Sequence, residues 1–301
     1  MEKHRKKLIK NAAVFDGHSS GLAQGKKIVI EDDIVTEITA DEVSEENFDE
    51  VFDGTGMVAM PGMTDAHVHL GCLFAKGEFP VDYATVLTVA KCKDALMAGF
   101  TTFRDAGSVS EGLKLAFDEG VLPGPRIYPC GAYISQTCGH GDSEYAHTYR
   151  DIQYRHPSST VLDMLGVENM PPKDEMVCCA EATATEILNR HEDIRLLFGT
   201  DMMITGPDYQ VEQSEDIRYY EKRFGTMRAL RALTGTANEV FALTTYQNPY
   251  PKGKIGVLEA GSYADLLLVD GDPTKSVSVL ADTDHLSLIM KGGTVYKNTL
   301  C

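Results

Sequence analysis

Residues 61–245 alternate strand-like and helix-like segments, and few folds accommodate that alternation. Ala84–Met97 carries apolar residues at helical spacing and is closed by Gly99. Thr101–Arg104 is strand-like, and Ser110–Asp118 reads as a helix that stops before Gly120 and Pro123-Gly124-Pro125. Arg126–Ile134 is again strand-like. Further on, Glu175–Asn189 is helical, Ile194–Phe198 reads as a strand and Met227–Ala242 as one helix. Strands and helices taken in turn mean parallel strands joined by crossover helices. The flanking zones are different. Leu8–Phe15, Lys27–Ile30 and Ile34–Ile38 are short β-prone runs with a turn at Asp16-Gly17. Leu266–Val269 is an apolar strand, and Ser287–Lys291 and Thr294–Tyr296 form a hairpin across Gly292-Gly293. The expected organisation is an α/β unit, residues 61–252, inserted into a small composite β-domain built from residues 1–60 and 253–301.

With 301 residues the chain can bury a sizeable core, as one large domain or two smaller ones. No apolar run approaches the roughly 20 residues that span a bilayer. The basic N-terminus is not followed by an apolar stretch, so neither a membrane partner nor a secretory signal is expected. Seven scattered cysteines, an odd number in no zinc-ribbon spacing, suit a reduced, cytoplasmic protein. A net charge of −17 argues against a nucleic-acid partner, because phosphate binding requires a basic face. Glu31–Asp53 holds eleven acidic residues and no Lys or Arg, and reads as a solvated surface. The basic cluster Lys3–Lys10 reads as a solvated terminus.

The chemistry concentrates in Met60–Gly71, where His67 and His69 stand one residue apart. On a strand both imidazoles point to one face, with Asp65 on that face too. Two converging imidazoles make half of a metal site, the alternative being a chance pair near a turn. Pro61-Gly62 before the pair and Gly71 after it frame a strand running into a loop, which favours the metal site. Arg195–Asp201 reads as a buried strand ending in Gly-Thr-Asp. A carboxylate at the C-terminal end of a parallel strand lies where barrel enzymes keep catalytic groups. Asp201 is thus a candidate ligand or proton acceptor, or simply a helix cap. Two imidazoles and one carboxylate suit Zn²⁺ or Fe²⁺.

These segments, taken together, resemble the amidohydrolase superfamily, in the branch with imidazolonepropionase and metal-dependent Xaa-Pro dipeptidases. The resemblance rests on Pro61–Leu70, Ala98–Asp105, Pro123–Ile127, Gln136–Asp142, Phe198–Asp201 and Gly256–Leu266. It implies a TIM-barrel-like (β/α)8 hydrolase with a composite β-sandwich domain and a metal centre at the strand C-termini. The implied reaction is hydrolysis of a C–N bond in a small-molecule amide, cyclic amide or dipeptide through a metal-activated water. The implied ligands are His67, His69 and Asp201, with zinc the first choice and iron or manganese the alternatives. Asp201 would also be the catalytic proton shuttle. His140, in a Gly-His-Gly loop, would contact substrate, a structural role being the alternative.

The chain departs from the family in one interval. A lysine and two further histidines should lie between residues 142 and 200. Only Lys173, His147, His156 and His191 fall there, none at the end of a clear strand. One metal rather than two is therefore expected. Length agrees: a (β/α)8 barrel takes about 250 residues, roughly 31 per unit. His67 and Asp201 lie 134 residues apart, room for about four units where seven are needed. The expected barrel is incomplete, short of about three βα units, with the join in Arg150–Asp174. Its open edges favour a homo-oligomer. Two further readings stand beside amide hydrolysis: a catalytically inactive, internally deleted relic, and a lactone or phosphoester hydrolase on the same fold. The loops Gly71–Tyr83 and Ile204–Tyr220 carry no decisive group that names the substrate.

Overall fold

The run Leu8–Phe15 is two strands in the computed structural model, which describes residues 5–70, 81–107, 109–131, 173–203 and 209–300. Strand β1 (Lys6–Lys10) ends where Asn11 turns to a φ of 63°, and β2 (Ala13–Val14) starts beyond it. β1 lies between β3 (Lys27–Glu31) and β5 (Glu50–Asp53), with β4 (Ile34–Thr39) outermost. Most of the acidic run is solvent-exposed, as expected, and the two charge runs also pair with each other. Lys6 meets Glu31 at 2.6 Å, Lys10 meets Glu45 at 2.6 Å, and Lys7, itself buried, meets Glu50. The basic strand and the acidic stretch are cross-strand partners, which opposite charges on paired strands favour.

A second sheet combines strands from both ends of the chain. Its order is β13 (Thr294–Asn298), β12 (Leu286–Lys291), β11 (Leu266–Val269), β6 (Val58–Pro61), β2. β6 pairs antiparallel with β11, Val58 opposite Val269 and Pro61 opposite Leu266. The chain then passes through Gly62 into β7 (Met63–His69), the first strand of the third sheet. That sheet is parallel throughout, in the order β10 (Met202–Met203), β7, β8 (Phe100–Asp105), β9 (Arg126–Tyr128). Helix α1 (Val81–Met97) is the crossover from β7 to β8 and buries Cys92, Ala95 and Leu96. Gly99 ends it with a φ of 90°, open to glycine and strained for other residues. Helix α2 (Glu111–Asp118) is capped by the Ser110 hydroxyl, which accepts from the Leu113 N–H. The main core lies between the parallel sheet and the β6–β11–β12 face, where Met63, Phe100, Phe103 and Phe198 meet Leu267, Leu286 and Ile289.

Four local expectations change. Ile194–Phe198 forms no ladder strand; regular pairing starts only at β10. Arg126–Ile134 is a strand only over Arg126–Tyr128, and residues 132–134 lie outside the described residues. Beyond helix α3 (Lys173–Arg190), the segment read as a loop over Ile204–Tyr220 contains helix α4 (Tyr209–Phe224). Its buried stripe is narrow: Gln213 and Ile217 are its fully buried described residues, so the apolar period is faint. Met227–Ala242 is broken into α5 (Thr226–Leu233) and α6 (Gly235–Phe241) at Thr234, whose φ and ψ are −135° and −100°. At Gly235 a Cβ would stand 2.1 Å from the Gly17 carbonyl oxygen, so the chain turns there to dock on the Asp16-Gly17 turn.

α4 is tied to the 3-10 turn Val277–Ala281 by one carboxylate. Glu221 accepts from the Ser276 hydroxyl at 2.9 Å, the Ser278 hydroxyl at 2.5 Å and the Val277 N–H at 3.0 Å. Burial alone would raise this carboxyl, but the hydroxyl and N–H donors hold it below the usual range. A depressed folded-state pKa contributes stability that is present above the unfolded value and lost as pH falls through the folded one. Glu221→Gln is therefore expected to cost about 1–2 kcal/mol at pH 7 and less than that near pH 3, read from urea melts at both pH values. An equal cost at both would show that the charge plays no part.

Candidate metal centre

β7 carries both histidines at its C-terminal end, and their rings stand 5.2 Å apart, centre to centre. Asp201 reaches them from the segment that follows Phe198. Its N–H donates to the His67 carbonyl at 2.8 Å, and its φ of 57° lies in the left-handed region, which Asp tolerates better than most residues. One oxygen of the carboxylate, Oδ1, sits 2.8 Å from His69 Nε2 and 3.1 Å from His67 Nε2. The ligand atoms of the three side chains all lie within 4.8 Å of one another, and among the described residues this is the one such His/Cys/Asp/Glu group. The side chains of His67 and Asp201 are 47% and 76% exposed, so the cluster opens to solvent.

Two glycines permit this convergence. A Cβ at Gly107 would lie 2.7 Å from His69 Cα and 2.8 Å from His69 Nδ1, and one at Gly199 would lie 2.9 Å from His67 Cβ. The first follows β8 and the second opens Gly-Thr-Asp, so both neighbouring segments pack closely on the two histidines. Asp105, at the end of β8, accepts from the Leu70 N–H at 2.7 Å and the Val109 N–H at 2.9 Å. It fixes the chain just past His69, and burial raises its carboxyl.

Asp65 does not share the face of the histidines. The β7–β8 pairing shifts register between Asp65 and Val68, and the Asp65 carboxylate is wholly buried behind the site. It accepts from the Thr200 hydroxyl at 2.7 Å, Gln213 Nε2 at 3.0 Å and the N–H groups of Thr200 and His67, each at 3.2 Å. Burial pushes its carboxyl up to about 6, against the pull of these donors. The same carboxylate interrupts the pairing with β7 between Phe198 and β10. Ala66 N–H donates to the Phe198 carbonyl and Asp201 N–H to the His67 carbonyl, but between them Thr200 N–H goes to the Asp65 side chain.

His67 and Asp201 flank a cleft of about 420 Å³ whose walls include Arg104, Leu197, Phe198 and Tyr220. The Arg104 guanidinium donates to the Ala66 carbonyl at 2.9 Å. Gln213, Thr200 and Arg104 were not singled out from the sequence. Gln213 lies in the segment read as lacking a decisive group; it is one of two glutamines on a polar helix, and its burial is visible only once α4 is packed. His140, His147 and His156 lie outside the described residues, as does the side chain of Lys173. His191 is exposed beyond the end of α3 and joins no ligand cluster.

The architecture is the α/β fold of amidohydrolase-type enzymes. A prolidase solved with N-methylphosphonate-L-proline superposes with a TM-score of 0.75 at 20% identity, covering 98% of this chain and 100% of that one. A Xaa-Pro dipeptidase with bound methionine gives 0.73 at 18%, covering 97% and 100%. Residues 58–161 and 152–296 match the amidohydrolase family model, and the chain belongs to that family. In sequence it is similar to the ochratoxinase of Aspergillus niger, 31% identical over 125 residues, which are 38% of this chain and 23% of that protein. It is also similar to the imidazolonepropionase of Picrophilus torridus, 40% identical over 67 residues, 21% of this chain and 16% of that one. The chain thus matches about a quarter or less of the length of these curated relatives. No described helix is long and apolar enough to cross a membrane.

Proposed function

We propose that the chain is a metal-dependent amidohydrolase acting on a C–N bond of a small amide, cyclic amide or dipeptide. The observation that carries this reading is the meeting of His67, His69 and Asp201 within 4.8 Å in a member of the amidohydrolase family. The donor set fits a divalent cation: two imidazole nitrogens and a carboxylate are the minimum of three protein ligands in catalytic zinc sites, and all three reach a common point. His67 Nε2, His69 Nε2 and the Asp201 carboxylate would hold one ion, zinc before iron or manganese. Such an ion, when bound, supplies a Lewis acid and an activated water at neutral pH.

The remaining chemistry belongs to the chain. Asp201, open to the cleft, takes a proton with its carboxylate and delivers it to the departing nitrogen. Arg104 presents a cation in the same cleft, suited to a substrate carboxylate. The cleft volume matches a small molecule. His140 is retained as a substrate contact on the family resemblance.

The incomplete-barrel reading is supported by a family match that falls in two stretches overlapping at residues 152–161. The composite β-domain of residues 1–60 and 253–301 is supported by the β6–β11 pairing. Open sheet edges favour self-association. A relic without activity is the second reading, and the 134 residues between His67 and Asp201, room for about four βα units, favour it.

Metal content of monodisperse protein, followed by a panel of amides, dipeptides, lactones and phosphoesters, tests these readings. About one zinc, iron or manganese per chain with turnover of an amide is the expected result. A folded chain that binds no metal and turns over nothing would leave the relic. Turnover confined to esters would move the enzyme to the lactone or phosphoester class.

A further inference from the structure

Asp65 is the most constrained side chain near the site and takes no part in the ligand cluster. It is 0% exposed, and it accepts from neutral donors: two backbone N–H groups, one hydroxyl and one side-chain amide. A buried carboxylate is costly, and a hydrophobic residue would fill the space without that cost. What the carboxylate achieves is geometric. Oδ1 receives the N–H groups of His67 and Thr200, one from each of the two segments that supply ligands. Oδ2 receives the Thr200 hydroxyl and Gln213 Nε2, the latter from the interior of α4. The next residue after Thr200 is Asp201, held at a φ of 57° by its own N–H bond to the His67 carbonyl. Without the Asp65 clamp, Thr200 would be free to pair with a β7 carbonyl, and the residue after it would lose its left-handed turn.

We propose that Asp65 is a positioning residue that locks the Thr200–Asp201 turn against His67 and, through Gln213, makes the ligand geometry depend on helix α4. The proposal rests on the metal reading above only for its first test.

The first test is zinc affinity and the visible spectrum of the cobalt-substituted chain across a polarity swap. Gln213→Glu alone sets a second carboxylate against Asp65, and zinc binding is expected to weaken roughly 10- to 100-fold, as for other groups that orient ligands. Adding Asp65→Asn restores one donor facing one acceptor with a single charge. The double variant is therefore expected to recover affinity to within a few-fold and to regain the cobalt spectrum. Thr200→Val removes only the hydroxyl, at nearly constant shape, and should shift the cobalt spectrum with the melting temperature little changed. A double variant as weak as Gln213→Glu alone, with the Thr200→Val spectrum unchanged, would overturn the proposal.

The second test needs no metal. In the metal-free chain, histidine ring resonances should move in Gln213→Glu and return in the double variant, since the Asp201 carboxylate then leaves and regains His67 and His69. Wild-type protein that binds no zinc but gives this pattern would refute the metal reading and keep the clamp. Resonances indifferent to all three variants would refute the clamp.

Discussion

Asp201→Asn and His67→Ala are each expected to abolish measurable amide turnover and metal retention while the chain stays folded. Asparagine keeps the shape of residue 201 and tolerates its φ of 57°, so the backbone path is preserved. What is lost is the charge on the atom that both imidazoles approach, at 2.8 and 3.1 Å, and the proton acceptor facing the cleft. Loss of a general acid–base group alone lowers rates by about 10²–10⁴-fold, and loss of one ligand in three adds to this. Both side chains are largely solvent-exposed, so stability should change by no more than about 0.5 kcal/mol. Steady-state kinetics, metal analysis and a thermal melt on the same preparations check all three statements. An Asp201→Asn enzyme with full activity would remove Asp201 from the mechanism.

Asp265→Ala is expected to cost about 3–5 kcal/mol, because it breaks a buried ion pair and leaves one charge uncompensated. Asp265 is 3% exposed and holds Arg126 through two bonds, Oδ2 to Nε at 2.6 Å and Oδ1 to Nη2 at 3.2 Å. It also accepts from the Gly292 N–H at 2.6 Å. Arg126 opens β9 and Asp265 immediately precedes β11, so this pair joins the parallel sheet to the mixed one. The guanidinium also lies 3.9 Å over the Tyr263 ring. Truncation would strand a buried cation beside Lys291, whose ammonium burial already pushes down to about 8 and which donates to the Phe117 and Gly124 carbonyls. Total stabilities of domains run to about 5–15 kcal/mol, so this one change removes a large fraction. A urea melt gives the value, and Arg126→Met/Asp265→Leu should be milder than Asp265→Ala because no charge is left unpaired. A loss under about 1 kcal/mol in Asp265→Ala would show that the pair does not join the sheets energetically.

The local sequence was sufficient where the determining contacts lie within a few residues. α1, β8 and α2 follow from helical or alternating periodicity closed by Gly99 and capped by Ser110. The β12–β13 hairpin follows from Gly292-Gly293 between two apolar runs. His67 and His69 converge because a strand returns its side chains to one face every second residue. Asp201 was legible as a candidate from Gly-Thr-Asp, although no local rule says which strand it stands beside.

Tertiary structure decided the rest, each time because a partner distant in sequence overrode the local pattern. Asp65 shares the strand parity of the histidines, yet a register shift and the donors on Thr200 and Gln213 draw it inward. α4 was hidden because Gln213 and Ile217 are its only fully buried described residues and its hydrogen-bonded tie to the turn Val277–Ala281 runs through Glu221, which leaves almost no apolar period. The helix expected over Met227–Ala242 breaks because Gly235 must approach the Gly17 carbonyl. The basic and acidic runs, each a solvated surface when read alone, satisfy one another across β1, β3 and β5. The sequence by itself determined the family, the alternation of elements and two histidines on one face of one strand. Only the folded chain brought Asp201 to them, 132 residues beyond His69, because cross-strand pairing is set by burial and hydrogen bonding over the whole molecule and not by neighbours along it.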